Sequence, residues 1–362
     1  MPKILSTSIY DPPYEMNQTD ITEFAREVFH EDFKDIDRLL QVFSNGEIRK
    51  RHFSVPLSWH SENHTFEEKN DTYIKQATEY GKKTIEACVT NHDYLQQSIP
   101  IEEIDALFFI SSTGISTPSI EARIMNTLPF KPTTKRIPIW GLGCAGGAAG
   151  LSRAYDYCLA YPKAKVLVLC VELCSLTFQV NDRSKSNVVG TSLFSDGVAC
   201  ALVVGDDVQQ EQYTGKRAIP QLQGTNSRLL KNSEDIMGWD VKNSGLHVVF
   251  SRSIPNLILN WFEPVVSDFL SEFELTSKDI EQFIAHPGGK KVLDAYESAL
   301  KLSKEKTTPS RYILENYGNM SSPTVLYVLN HVMKQGGQPD QYGLIAALGP
   351  GFSSELLLLQ WK

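Results

Sequence analysis

Gly141-Leu142-Gly143-Cys144-Ala145-Gly146-Gly147-Ala148-Ala149-Gly150 sets one thiol in a run of small residues. Upstream, Arg136 to Trp140 reads as a strand. Downstream, Ala148 to Ala160 is rich in helix formers, so Cys144 falls where a strand turns into a buried helix. Unpaired N–H groups and the positive end of a helix dipole stabilise an anion there, so the thiol is expected to have a lowered pKa and to favour the nucleophilic thiolate. The flanking glycines and alanines let a substrate approach the backbone. A lone cysteine on a tightly packed helix is more often structural, so the decision rests on what lies further along the chain.

With 362 residues, 41% hydrophobic and 22% charged, the chain has the composition of a soluble globular protein of two domains, or two lobes sharing one sheet system. Its formal charge of -8 argues against nucleic-acid binding, which needs clustered Lys and Arg. Cys88, Cys144, Cys158, Cys170, Cys174 and Cys200 show neither CxxC pairs nor the His spacing of a zinc site, so no metal is expected, and the usage suits a reducing cytoplasm. Met1 to Thr7 lacks the apolar core of a signal peptide. No apolar run approaches a membrane span, so the reading is a cytoplasmic protein without stable membrane insertion.

Ile21 to Phe43 has helical apolar spacing, broken by Asn45-Gly46; Ser58 to Asp71 is polar and His-rich and reads as a surface loop; Tyr73 to Val89 reads as an amphipathic helix. His52, His60, His64 and His92 lack ligand spacing and read as solvated or structural. Ala106 to Ser111, Lys165 to Glu172 and Val198 to Gly205 are continuous apolar strands of the kind covered on both faces, which with the intervening helices gives an α/β layered fold. The second half repeats the plan. Ile280 to Pro287 resembles Ile104 to Ser112, Gly318-Asn319 opens the helix Val325 to Met333 as Gly143-Cys144 opens the first, and Gly343 to Leu348 with Ser353 to Trp361 matches Leu193 to Val204. The offsets, 176 positions for Ile104 to Ile280 and 175 for Cys144 to Asn319, agree. An internal duplication therefore puts Cys144 and Asn319 at equivalent helix starts facing each other across a pseudo-twofold axis. The halves are residues 1–210, with the cysteine, and 211–362, with the histidine and asparagine.

Three residues converge: Cys144, Asn319, and His286 at a strand end. A Cys with a His can form a thiolate–imidazolium pair that takes acyl groups from thioesters. The Asn amide and His Nε2–H supply two donors for a thioester carbonyl oxygen, stabilising the enolate left when a malonyl thioester loses carbon dioxide. Alone, His286 would read as a core histidine and Asn319 as a helix cap; the repeat brings them together.

Gly141 to Gly147, Ile284-Ala285-His286-Pro287-Gly288-Gly289, Tyr317-Gly318-Asn319-Met320-Ser321-Ser322, Leu193-Phe194-Ser195-Asp196-Gly197 and Gly349-Pro350-Gly351 resemble the signatures of the type III polyketide synthases, the chalcone synthase superfamily, over about Ser6 to Trp361. Ketoacyl-acyl-carrier-protein synthase III shares the fold and triad but typically has His-Gln-Ala-Asn where this chain has His286-Pro287-Gly288-Gly289. The resemblance implies a homodimer of thiolase-like five-layered αβαβα subunits, free of metal and redox cofactors, using acyl-CoA and malonyl-CoA. It implies Cys144 as acyl carrier, His286 and Asn319 as decarboxylation donors, and Phe194 as the gatekeeper between CoA tunnel and reaction chamber. Ser112, Thr113, Cys174, Thr177, Trp239, Val248 and Ser321 fall at cavity-lining positions, Thr117 where a residue reaches into the partner's cavity, and Gly349, Pro350 and Gly351 form an active-site loop. Of three basic residues that hold CoA phosphates in plant members, only Arg38 has a basic counterpart; Gln41 and Asn45 occupy the others. Gly288, Gly289, Lys290 and Lys291 are the further CoA-binding candidates, the lysines replacing lost charge. Val248 for a second gatekeeper phenylalanine and Trp239 for a glycine favour an aliphatic starter, a medium- or long-chain fatty acyl-CoA extended two or three times to an alkylpyrone or alkylresorcinol. The alternatives are a ketoacyl synthase III-like enzyme making one extension and a non-catalytic acyl-binding partner subunit.

Overall fold

The computed structural model describes residues 1–30, 33, 35–215 and 217–362. Among the described residues the strands are β1 (Lys3–Tyr10), β2 (Tyr14–Asn17), β3 (Lys50–Phe53), β4 (Ala106–Ile110), β5 (Lys135–Ile139), β6 (Lys165–Leu173), β7 (Asp196–Val204), β8 (Pro220–Leu229), β9 (Met237–Lys242), β10 (Gly245–Phe250), β11 (Ile280–Ala285), β12 (Tyr342–Gly349) and β13 (Ser353–Trp361). The apolar runs that read as strands covered on both faces are so: every residue of β4 and β7 is buried.

Nine strands join in the order β11-β12-β13-β8-β1-β7-β6-β4-β5. On one side β4 runs parallel to β6, while β6–β7 and β7–β1 are antiparallel. The other side repeats this, with β11–β12 parallel and β12–β13 and β13–β8 antiparallel. The two meet at the single pair Lys3↔Gln221. The duplication is therefore present as topology, and it corrects one detail: β12 corresponds to β6 and β13 to β7, rather than both to Leu193–Val204. β5 has no counterpart. Two further two-stranded antiparallel sheets, β2–β3 and the hairpin β9–β10, stand apart from the large sheet.

The helices Gly146–Ala160 and Ser322–Gln335 pack on each other and on strands from both halves, forming the central layer of an α/β, thiolase-like stack. Phe66–Val89 covers the outer face of β1, β6 and β7, and Lys304–Tyr317 covers β11. Small residues permit the central contact: a Cβ on Gly147 would lie 2.3 Å from the Ser322 carbonyl oxygen. The run around Cys144 is thus a close-packing surface as well as a nucleophile's setting.

Three local expectations change. The Ile21–Phe43 pattern crosses residues 31, 32 and 34, which lie outside the described residues, and its described parts form two helices, Gln18–Phe29 and Ile36–Ser44. The surface loop Ser58–Asp71 is instead a short 3₁₀ turn, Leu57–Ser61, followed by a helix starting at Phe66. That helix begins early because Thr65 and Glu68 form a reciprocal capping box. Within the turn His60 is buried, its ring edge-on to Phe53, Trp59 and Phe178.

Candidate active site

The two central helices begin beside each other. Gly143–Ala145 is a 3₁₀ turn, and the helix proper starts at Gly146, so Cys144 sits just ahead of it. Asn319 precedes the helix Ser322–Gln335 in the same way, and its Oδ1 lies 4.0 Å from the Cys144 Sγ. The repeat thus brings the two side chains together as the sequence implied.

Asn319 is held on every side. Its backbone N–H donates to the Leu193 carbonyl at 2.9 Å, and its carbonyl accepts from the Ser195 N–H at 2.9 Å, a parallel bridge that fixes Phe194 beside it. Its Oδ1 accepts from the Ser321 N–H at 2.8 Å, and its Nδ2 donates to the Gly288 carbonyl at 3.2 Å. One Nδ2 hydrogen remains for a substrate oxygen. His286 continues β11, its N–H donating to the Ala346 carbonyl at 2.8 Å. Its ring is 2% exposed, and neither ring nitrogen has a hydrogen-bond partner. Gly288 lies against that ring, since a Cβ built on it would be 3.7 Å from Nε2. Gly288 therefore touches both proposed donors.

Two electrostatic expectations are corrected. Burial pushes the Cys144 thiol up to about 11, over the opposing hydrogen-bond effects of Ser321 and Asn319, with the Glu172 carboxylate adding to the rise. Burial pushes the His286 imidazole down to about 3. Both shifts favour thiol and neutral imidazole over thiolate and imidazolium at rest, desolvation outweighing the helix-terminus effect at a thiol that stands before the helix rather than on it.

Gly143, Cys144, Phe194, Trp239, Val248, Ser321 and Pro350 wall a cavity of about 30 Å³. Trp239 and Val248 oppose each other across the β9–β10 hairpin, and the Phe194 ring tilts against Trp239 and Phe250. Cys174 and Thr177 line instead a second cavity of about 40 Å³ that shares Phe194 and Val248 with the first. Ser112 and Thr113 are buried and direct their hydroxyls to Glu172, which also accepts from the Ser112 N–H and the Ser322 hydroxyl. Glu172 went unremarked in the sequence, although a lone acid in the apolar run Lys165–Leu173 was a usable signal. Arg51 and His60 were also missed as cavity residues. Thr117 is exposed. In the Gly349-Pro350-Gly351 loop, Pro350 lies against Gly143, whose Cβ would come within 2.8 Å of its Cδ.

For CoA, Arg38 is exposed on the helix Ile36–Ser44. Gly288 and Gly289 precede the helix Lys290–Leu300, Lys290 pairs with Glu47 at 2.6 Å, and Lys291 is exposed. Among the described residues no cluster of three His, Cys, Asp or Glu could hold a metal, and no helix is long and apolar enough to cross a membrane.

Residues 12–208 match the family model for chalcone and stilbene synthases, N-terminal domain, and residues 221–361 the C-terminal one. The chain is 52% identical over 360 residues to a protein of Bacillus subtilis (strain 168) named for chalcone synthase, covering 99% of this chain and 98% of that one. It is 33% identical over 353 residues to the 1,3,6,8-tetrahydroxynaphthalene synthase of Streptomyces peucetius subsp. caesius, covering 97% and 90%. The crystal structure of the corresponding Streptomyces coelicolor A3(2) enzyme, a bacterial type III polyketide synthase, superimposes with a TM-score of 0.89 at 30% identity over 99% of each chain.

Proposed function

Because the chain belongs to the chalcone and stilbene synthase family, the type III polyketide synthases, which are acyltransferases that condense CoA thioesters, we propose that it extends a medium- or long-chain fatty acyl-CoA with malonyl-CoA on Cys144. The observation that carries this reading is the buried His286 ring, unpartnered at both nitrogens beside an Asn319 amide that lies 4.0 Å from the thiol. A buried polar group without a partner is costly, and a substrate oxygen supplies one.

The neutral imidazole takes the Cys144 proton at Nε2 as sulfur attacks the starter carbonyl; CoA leaves as the thiolate and takes its proton from solvent, so Nε2–H remains on His286. Malonyl-CoA then places its thioester oxygen between the His286 Nε2–H and the free Asn319 Nδ2–H. Its carboxylate leaves as carbon dioxide, and the bond's electrons pass into an enolate neutralised by those donors. The enolate carbon attacks the acyl-Cys144 carbonyl and expels the thiolate of Cys144. The β-ketoacyl-CoA reloads for two or three rounds before closing to an alkylpyrone or, by aldol closure, an alkylresorcinol. Phe194 gates the cavity, and Arg38, Gly288, Gly289, Lys290 and Lys291 meet the CoA. A second copy covers the exposed Ile115, Thr117 and Trp140 in a homodimer; a monomer by sedimentation would remove that part.

The test incubates purified protein with radiolabelled malonyl-CoA and starters from acetyl- to stearoyl-CoA, beside Cys144→Ala, with products identified by mass spectrometry. Triketide or tetraketide products absent from the control are expected. A single-extension β-ketoacyl product, or none with any starter, overturns the reading.

A further inference from the structure

The hairpin whose Trp239 and Val248 wall the Cys144 cavity also carries, at its turn, a group of side chains that the condensation does not use. Its strands pair Gly245 with Lys242, so Asn243 and Ser244 form the turn and His247 follows in β10. The Ser244 Oγ lies 2.8 Å from the His247 Nε2, and the His247 Nδ1 lies 3.1 Å from the Asp182 Oδ2. A hydroxyl, an imidazole and a carboxyl are thus joined in series through the two nitrogens of one ring. Nucleophilic catalysis requires that order, with the hydroxyl on the base and the base on a group that orients it.

The series is fixed from its carboxyl end. Asp182 stands in the turn ahead of the helix Lys185–Leu193, where its N–H donates to the Gln179 carbonyl at 3.1 Å and its carbonyl accepts from the Asn187 Nδ2 at 2.8 Å. Its Oδ1 accepts from the Ser184 N–H at 2.8 Å, which leaves Oδ2 for the ring. Burial raises the Asp182 carboxyl, but the Ser184 N–H and hydroxyl and the His247 ring together hold it below the usual carboxylate range. A carboxylate only accepts, so Nδ1 carries the ring hydrogen and Nε2 presents its lone pair to the Ser244 hydroxyl. The Gln179 Nε2 ties β10 to the same turn by donating to the Leu246 carbonyl at 3.1 Å. The side chains of His247 and Asp182 are only 12% and 17% exposed, while Ser244 is open to solvent. A sheltered base therefore serves an accessible hydroxyl. Among the described residues the Asn243 and Ser244 N–H groups make no hydrogen bond, and they are the donors at hand for the oxygen of a carbonyl attacked by Ser244.

We propose that Ser244 and His247, positioned by Asp182, form a second catalytic centre, separate from Cys144, that hydrolyses short-chain acyl esters. The His247 Nε2 takes the Ser244 proton as Oγ bonds to the ester carbonyl carbon; the bond from that carbon to the alcohol oxygen breaks, and the alcohol leaves with the proton. Water then attacks the acyl-serine and gives a proton to Nε2. The carboxylic acid departs as that proton returns to Oγ. Short acyl groups follow from the setting: Val241 to Ser244 are all exposed, so no wall encloses a long chain.

The experiment uses the full chain carrying Cys144→Ala, which removes the competing thiol and makes the outcome independent of the polyketide reading. It follows hydrolysis of p-nitrophenyl acetate, butyrate and octanoate, and labelling by a fluorophosphonate with the modified residue located by peptide mass spectrometry. The expected result is faster hydrolysis of acetate than of octanoate and a label on Ser244. Adding Ser244→Ala, at an exposed position that the fold does not depend on, should abolish the label and slow acetate hydrolysis at least about tenfold. His247→Gln should slow both reactions by about 10²-fold, the smaller end of what a general base contributes. Asp182→Asn should lower kcat with KM unchanged, because it turns the ring to the wrong tautomer, and urea midpoints near that of the parent show that each variant is folded. Hydrolysis unchanged by Ser244→Ala, or a label that falls on another residue, overturns the centre and reduces the series to a clip that holds the hairpin to the turn before the helix. A preference for octanoate overturns the short-chain assignment.

Discussion

The two central helices start in equivalent places, yet the chain treats the two starts in opposite ways. At Asn319 four hydrogen bonds fix one residue, from Leu193, Ser195, Ser321 and Gly288. At Cys144 the thiol lies 4.0 Å from the Asn319 Oδ1, has Ser321 as its other hydrogen-bonding neighbour, and stays partly open to the cavity. Duplication supplied two similar positions. One became a fixed donor, which must not move as charge develops on a substrate oxygen; the other became a reacting atom, which must move onto a carbonyl carbon and off again.

The largest effects should come from removing each side chain. Asn319→Ala is expected to lower malonyl-CoA decarboxylation by about 10²–10³-fold, the usual loss for one carbonyl-oxygen donor. It should also cost about 2 kcal/mol of stability, because the buried Ser321 N–H and Gly288 carbonyl lose their partner. Cys144→Ala should abolish acyl loading while shifting stability by less than about 1 kcal/mol, since the thiol is barely bonded. Denaturant melts beside mass spectrometry of the acylated enzyme separate the two. Equal destabilisation by both would erase the contrast.

The residue before Asn319 gives the next effect. Gly318 has φ +72, and a Cβ there would meet Arg51 Cγ at 2.8 Å and the Leu193 oxygen at 3.1 Å. Gly318→Ala therefore strains the backbone and pushes on a buried guanidinium, at about 2–4 kcal/mol. Urea midpoints read it directly, and a loss below about 1 kcal/mol would mean that the Asn319 side is less rigid than its hydrogen bonds indicate.

Acidity sharpens the same contrast. With the Cys144 thiol pushed up to about 11, its alkylation by iodoacetamide should rise with pH through about 11. An inflection near or below neutrality would restore the thiolate–imidazolium pair. His286 and His60, both pushed down to about 3 by burial, bind fewer protons folded than unfolded between about pH 3 and 6.5. Stability from each is present above pH 6.5 and is lost on acidification through that window, at about 1.4 kcal/mol per pH unit. The raised Glu172 and Asp196 carboxyls oppose this trend, so the difference between wild type and His60→Leu isolates one histidine.

How far the sequence carried these conclusions depended on what each residue's role required. Apolar runs such as Lys165–Leu173 reveal strands because burial on both faces demands them, and the 175-residue offset between Cys144 and Asn319 places the pair because duplicated topology keeps equivalent positions together. The proton state of Cys144 and His286 was not legible: it is set by desolvation from side chains remote in sequence. His60 read as part of a polar loop because its neighbours Ser58, Ser61, Glu62 and Asn63 are hydrophilic, and only the packing of Phe53 and Phe178 against it reveals a buried ring. Arg51 sat in the basic string Arg49-Lys50-Arg51, where nothing distinguishes the one arginine that β3 turns inward.

The smallest effect is expected at Gly141, two residues ahead of Gly143, the equivalent of Gly318. Gly141, three residues before Cys144, has φ +90 with nothing within 4 Å of a Cβ built on it. Gly141→Ala meets no neighbour, so its cost is the backbone conformation alone, about 1–2 kcal/mol. Because that strain is local, the turn can relax by moving into solvent, where Gly141 is exposed, without pressing on the thiol. Acyl loading of Cys144 should then stay near wild type even as the urea midpoint falls. The outcome that would break the contrast is a loading rate that collapses with Gly141→Ala. It would mean that the backbone ahead of Cys144 sets the thiol's position as tightly as the bonds around Asn319 set the amide, and that the nucleophile is held still by its turn rather than left free to move.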